Sequence, residues 1–491
     1  MAYAVDGENP KPVLESFCDT EIPIVKLAMS SELSPVAGHV SATYRGSLLV
    51  WGGYYYSYST MDYRKGSDLY IYPYALAGNS GVWLKVMGTG SEPKPNSGGA
   101  ALICGDDLYI FGGTTVLGDG SGRRRNPQTS MLWKLNIPSA VWDIVDPAPD
   151  LKVPTPRDKT AAWSIGHKLY FFGGFGPCFQ LLNSVDAYLV GDNDFVSGGP
   201  GTCWNNQLLE FDVDERRWNL IPKRGTPPTA RAGAGSQYVE DLGVVFLFGG
   251  RGSITRLNDL YVLDINTFIW TEIDLSIRPP GRSWCAMSWI PDRQEIFMSS
   301  GFSVDEKPLD DVWALDMSRC YEGDVRENIT VSWKCVKPAT INDEVNDQEG
   351  AANNNADATS PAEAPPFQRF WHTANAIESR SHTSFTEAVL LYGGMSQHPC
   401  STAPCLNTLH VQTIQPPSLF ATVLRWYSKT DTKLPSPVFP ALYRKHYLLE
   451  DINRFKRDFR HSYGDCYRLA NSLHGLTLKE IFDILDMKNS L

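Results

Sequence analysis

Along most of this chain, short apolar runs alternate with polar, turn-rich stretches, and six of the runs end alike. LLVWGGY, LYIFGGT, LYFFGGF, VFLFGGR and VLLYGGM stop on paired glycines at 52 and 53, 112 and 113, 173 and 174, 249 and 250, and 393 and 394. IFMSSGF is a degenerate copy with Ser300 and Gly301. Apolar runs this short, bounded by glycine, predict buried strands. A further strand follows each, and then one carrying a tryptophan: Trp83, Trp142, Trp218, Trp270 and Trp333. Most copies lie about 50 to 75 residues apart, with the spread in the loops.

A four-stranded unit cannot bury both faces alone, so copies must stack around an axis. The period predicts an all-β fold, a six-bladed β-propeller of the kelch type. Gly-Gly ends a strand where a tight turn leaves no room for Cβ, and the tryptophan fills space between blades. The segment IPIVKLAM, 22–29, alternates and is expected to complete the sixth blade, tying the termini together. The propeller then spans 22–416 after an N-terminal extension, 1–21. An acidic, Asn/Ala-rich stretch at 342–366 reads as a disordered insertion. From 417 to 491 the composition changes: Leu419, Val423, Trp426 and Tyr427 fall at helical spacing, Leu434-Pro435 breaks the chain, and two more helical patterns follow. This is a small C-terminal helical region.

Propeller strands run alternately up and down, so the start of strand one, the end of strand two and the start of strand three share a face. On that face the sequence places Arg251 and Arg256 after strand two of blade four. Arg282, Ser283 and Trp284 open blade five, and Arg157, Asp158 and Lys159 open blade three. Trp204 opens strand three of blade three, Tyr54 and Phe175 follow Gly-Gly, and Trp371 opens blade six. Together they predict a cationic funnel with aromatic walls. Arginine's planar fork of donors matches a carboxylate or phosphate in bidentate fashion, and a serine adds a contact. The competing reading pairs each arginine with a nearby carboxylate, such as Asp259, as a tie between blades.

Composition narrows this picture. The chain of 491 residues is 42% apolar, which permits a substantial core, and its net charge of −11 argues against a general nucleic-acid or anionic-membrane binder. A local basic pocket in an acidic protein would select anions. The N-terminus lacks a basic and then apolar leader, and no run is long enough for a membrane span. The ten cysteines show no CxxC pair; Cys400 and Cys405 are the closest. Reduced thiols in a cytoplasmic or nuclear protein are expected. No GxSxG, HExxH, phosphate loop or GxGxxG is present, the nine histidines are dispersed, and His372 reads as a core or rim residue. No enzyme, cofactor or metal is expected.

The local phrases PRDK, WNN before a strand, FGGR-x4-R-x-NDL, GRSW and RFWHT resemble the kelch domain-containing protein 2 family, substrate receptors of cullin-2 RING ubiquitin ligases, from about residue 37 to about 419. The resemblance implies recognition of the extreme C-terminus of proteins ending in Gly-Gly. Arg251, Arg256 and Ser283 would hold the terminal carboxylate, and Lys159, Trp204, Trp284 and Phe175 would wall the pocket. Phe175 stands where the family has tyrosine and so lacks its hydroxyl. Leu419 would open an elongin B/C-binding helix, lacking the family's cysteine, and Leu434-Pro435 a cullin-2 box. A kelch scaffold outside any ligase, binding actin or another protein through the same face, is the alternative.

Overall fold

The computed structural model describes residues 25–29, 33–57, 60–74, 82–118, 124–125, 127–147, 151–182, 185–321, 329–338, 367–380, 384–398 and 405–414. The extension 1–21, the insertion 342–366 and the tail 417–491, with Leu419, Leu434 and Pro435, lie outside the described residues.

The Gly-Gly runs become the second strands of six antiparallel sheets. Blade one is built from Val40–Tyr44, Ser47–Trp51, Asp68–Tyr72 and Val82–Met87, and blade two from Ala100–Cys104, Asp107–Phe111, Leu132–Asn136 and Val141–Ile144. Blade three has Ala161–Ile165, Lys168–Phe172, Leu208–Asp212 and Arg217–Ile221. Blade four has Gly235–Val239, Val244–Arg251, Arg256–Asp264 and Ile269–Ile273. In blade five Ala286–Ile290 precedes Glu295–Ser303, Pro308–Asp316 and Ser332–Lys337. The described part of blade six is Thr373–Arg380, Ser384–Tyr392 and Leu409–Thr413. First strands of successive blades contact one another in a closed cycle, the sixth returning to the first.

The core lies between blades. Separate buried apolar clusters join blade two to three, three to four, four to five and five to six, while one large cluster spans six, one and two. The tryptophans explain the repeat. Each packs on the aromatic residue that precedes Gly-Gly in the blade before it. Trp142 meets Trp51 at 5.6 Å, Trp218 meets Phe111 at 4.9 Å, Trp270 meets Phe172 at 5.1 Å and Trp333 meets Phe248 at 5.2 Å. Trp83 of blade one meets Tyr392 of blade six at 4.8 Å and closes the circle. Truncating one such buried tryptophan costs about 3–5 kcal/mol.

One expectation fails. Val25–Met29 does not complete blade six; it pairs antiparallel with Val82–Met87, from Val25 opposite Val86 to Met29 opposite Val82, as a fifth strand on blade one. An outer strand presents unpaired backbone donors and acceptors, and an alternating segment nearby in sequence satisfies them. The seam between blades one and six is held elsewhere. Val36 N–H donates to Leu406 O at 2.8 Å, Gly394 N–H to Val36 O at 2.8 Å, and Asn375 Nδ2 to Ser41 Oγ at 2.6 Å.

Candidate functional site: an anion mouth on an aromatic floor

Four arginines at the entries to strand one are structural ties. Arg157, Arg231, Arg282 and Arg369 are all buried. Each sends Nη1 to the carbonyl just before the final glycine of the neighbouring turn, at Gly173, Gly249, Ser300 and Gly393. Asn96 does the same in blade two, donating to Gly112 O at 2.8 Å. Arg231 takes Asp259 in bidentate fashion at 2.6 and 2.9 Å, and Arg282 takes Asp311 at 2.7 and 2.7 Å. Arg157 rests on Asn205 and Gln207, neutral partners, and its burial lowers its pKa to about 9. Arg157 and Arg282 therefore leave the funnel predicted from sequence, and Asp259 neutralises Arg231 rather than Arg251 or Arg256.

Two residues beyond each of these five positions, and beyond Val36 at the equivalent place in blade one, the backbone turns left-handed, at Gly38, Gly98, Lys159, Gly233, Trp284 and Trp371. These six residues join in a closed ring of backbone hydrogen bonds. Gly98 N–H donates to Gly38 O, Lys159 to Gly98, Gly233 to Lys159, Trp284 to Gly233, Trp371 to Trp284 and Gly38 to Trp371, over 2.7 to 3.4 Å. The ring needs positive φ, which glycine adopts freely and a side chain resists. Three positions nevertheless carry side chains, and these lie over the glycines. A Cβ on Gly233 would sit 2.8 Å from the Trp284 ring, and one on Gly38 3.2 Å from Trp371. Trp284 and Trp371 stack at 5.2 Å and 14°, while Tyr54 meets Trp371 edge-on at 5.6 Å. Tyr54 itself is buried, its hydroxyl directed at Met395 Sδ, and supports the floor from beneath. The Lys159 ammonium lies 5.4 Å over Trp371 but 2.5 Å from Asp158 Oδ2, so its charge is matched.

The unmatched charge is in blade four. Arg251 and Arg256 face each other across the strand pair. Arg256 Nε donates to Ser283 Oγ at 3.1 Å, and its guanidinium lies 4.6 Å over the Phe302 ring. Arg256 is 8% exposed. Its one carboxylate neighbour among the described residues is Glu306, at 3.8 Å, beyond hydrogen-bond reach. Burial, and then the charge of Arg251, lower the Arg256 pKa. Arg251 donates to Ile254 O at 3.1 Å. Ser283 is fully buried behind Arg256. It accepts from that arginine and so fixes the direction of its fork, with its own hydroxyl proton left to donate.

Blade three supplies the remaining wall. Between its second and third strands the chain makes a separate three-stranded sheet of Phe175–Pro177, Thr202–Asn205 and Phe195–Gly199. Phe175 pairs across to Trp204, their rings 5.0 Å apart. Gly198 gives both rings room, since a Cβ there would lie 2.7 Å from each. Cys178 and Cys203, just beyond this pair along the same two strands, form a disulfide, contrary to the expected reduced thiols. They are 25 residues apart in sequence, which hid them, but the sheet brings their Cα atoms to 5.1 Å. Cys405 is free, and Cys400 lies outside the described residues.

Sequence reasoning missed Thr114, Phe302 and Met395, which follow the glycine turns just as Tyr54 and Phe175 do. Applying that rule to every blade would have found them. Phe302, Phe370 and Met395 join Tyr54 in an aromatic cluster against Trp284 and Trp371. Glu306 had no sequence signal beyond its turn. His372 is a buried residue, bonded through Nε2 to Ser299 Oγ at 2.9 Å. Among the described residues no group of three or more potential ligands could hold a metal ion, and no helix is long and apolar enough to cross a membrane.

The mouth thus combines two like charges, one almost buried, with a flat aromatic floor and a rigid aromatic side wall. It offers a small planar anion two guanidinium forks.

Comparison with known proteins agrees with this architecture. The model of the KLHDC2/KLHL20/DRC7 Kelch-repeats domain matches residues 38–194 and 184–338, more than half of the chain. Kelch domain-containing protein 2 of Bos taurus is 29% identical over 330 residues, 64% of this chain and 73% of that protein. Kelch domain-containing protein 1 of Homo sapiens is 27% identical over 414 residues, 82% of this chain and 86% of that protein. Repeat, ring and sequence match agree, and the chain belongs to the KLHDC2/KLHL20/DRC7 kelch-repeat family.

Proposed function

We propose that this protein is a substrate receptor of a cullin-RING ubiquitin ligase and captures protein C-termini that end in Gly-Gly. The observation that carries the reading is Arg256: a guanidinium nearly removed from water, beside a second arginine, with no carboxylate in hydrogen-bond reach among the described residues. A buried charge left in this state is costly unless an anion arrives to match it. In the same propeller Arg231 and Arg282 each have their aspartate. A chain terminus provides one carboxylate, suited to the Arg251 and Arg256 forks, with Ser283 orienting the second. Terminal glycines let the backbone descend onto the Trp284–Trp371 floor, where Cβ atoms would collide. Lys159, Phe175 and Trp204 flank that descent.

Elongin B/C and cullin 2 are the proposed partners of the tail, through Leu419 and the Leu434-Pro435 segment. The protein then acts by recruitment and has no catalytic residues of its own. The reading carries a cytoplasmic and nuclear location, a reducing setting in which Cys178 and Cys203 would exchange with the dithiol form. The test is a library of C-terminal peptides screened on the purified protein, with elongin B/C association scored in parallel. Enrichment of Gly-Gly ends, lost in Arg256→Glu, is expected. Enrichment of internal sequences instead would refute terminus recognition. Elongin association that survives Leu419→Asp would refute the assigned docking helix.

A further inference from the structure

One charged group at the mouth has no part in the clamp. Glu306 sits at the tip of a turn between Ser303 and Lys307. Ser303 N–H donates to Lys307 O at 2.9 Å, Glu306 N–H to Ser303 O at 3.1 Å, and Lys307 N–H to Ser303 Oγ at 3.1 Å. The turn is therefore pinned, and Glu306 holds a left-handed φ of 58° where glycine or asparagine would be less strained. Its side chain is 61% exposed, with Oε1 3.8 Å from Arg256 Nη1 and Oε2 3.7 Å from His398 Nε2 of blade six. Both distances lie beyond hydrogen-bond reach. The carboxylate stands at the opening of the anion site on a backbone-anchored turn, in ion-pair contact with Arg256 but not hydrogen-bonded to it.

From this geometry we infer that Glu306 is the charge filter of the mouth, selecting chain termini that carry a basic side chain a few residues before the terminal carboxylate and disfavouring acidic ones. The inference rests on the terminal-carboxylate reading and deepens it. A ligand carboxylate on Arg256 brings a second negative charge close to Glu306, and the two repel. A lysine or arginine upstream restores neutrality by pairing with Glu306; an aspartate or glutamate there adds a third like charge. Arg256 cannot leave Glu306 to avoid this, because Ser283 and Phe302 hold its fork. Asp158 at the blade-three wall does not compete for a ligand lysine, since it is buried and already holds Lys159 and Thr114.

The experiment uses fluorescent peptides ending in Gly-Gly, with lysine or glutamate placed in turn at each of the four preceding positions on a neutral background. Binding is measured to the full chain and to Glu306→Gln and Glu306→Lys. With an exposed partner, the preference for lysine over glutamate is about two- to fivefold at its best position. Glu306→Gln should remove that preference and tighten the neutral peptide, and Glu306→Lys should invert it. A preference indifferent to residue 306, or none at any position, overturns the inference while leaving the terminus reading intact. Failure of the neutral peptide to bind the unmodified protein overturns both. Unchanged melting of the variants would confirm that the site, not the fold, was altered.

Discussion

Two arginines 26 positions apart should respond to the same substitution differently, one with a large loss of stability and the other with none. Arg282→Met removes a guanidinium that holds Asp311 through two bonds of 2.7 Å and also donates to Ser300 O and Pro280 O. Among the described residues Asp311, 2% exposed, is left with the Trp313 indole N–H at 2.7 Å as its side-chain partner. Stranding a buried carboxylate in this way costs about 3–5 kcal/mol. Arg256→Met removes a desolvated charge that lacks a hydrogen-bonded carboxylate, and methionine keeps the contact with Phe302. The expected change runs from none to about 1 kcal/mol of added stability, as at sites where function is held against stability. Equilibrium urea unfolding followed by tryptophan fluorescence measures both. If Arg256→Met loses as much as Arg282→Met, Arg256 is another blade tie, and the case for an anion site fails.

Three further outcomes are expected. His39, bonded to Thr373 of blade six, and His372, bonded to Ser299 of blade five, are buried and neutral; burial, and then Arg64 and Arg369, push His39 down to about 3, while burial, Arg369 and His39 hold His372 well below its ordinary value. The unfolded chain binds protons that the folded one refuses, so stability is complete above about pH 6.5 and falls as the pH drops through it, by about 1.4 kcal/mol per unit per histidine; melting curves between pH 7 and pH 4 that do not shift would contradict the buried neutral state. Gly233→Ala places a methyl 2.8 Å from the Trp284 ring at a φ of 64°. It should cost about 1–3 kcal/mol and weaken peptide binding through the displaced floor, which calorimetry can read. Reducing Cys178–Cys203 frees the strands that carry Phe175 and Trp204, so peptide affinity should fall while the main melting transition stays in place; equal affinity with and without reductant would show that the sheet holds its wall unaided.

The blades were legible in the sequence because each Gly-Gly turn and each tryptophan answers a constraint repeated around the axis. Trp270 must fill the space beside Phe172 just as Trp218 fills that beside Phe111, so the period survives the loops. The shared face was legible for the same reason. The division of labour among its arginines was not. Arg251, Arg256 and Arg282 look alike in one dimension, and only the pairing of Arg282 with Asp311 and of Arg231 with Asp259 separates ties from mouth. The edge position of Val25–Met29 was illegible because an alternating segment fits any open strand edge equally well. Cys178–Cys203 was hidden by the irregular sheet that joins them, and Glu306 by a turn whose left-handed backbone no residue type announced.

The central claim is that Arg251 and Arg256 await the carboxylate of a chain end. Isothermal titration of the full chain with one neutral peptide ending in Gly-Gly, as the free acid and as the C-terminal amide, tests it most directly. Removing one partner of a buried charge pair costs about 2–5 kcal/mol, so the amide should bind at least about thirtyfold more weakly than the acid. Equal binding of acid and amide would contradict the account.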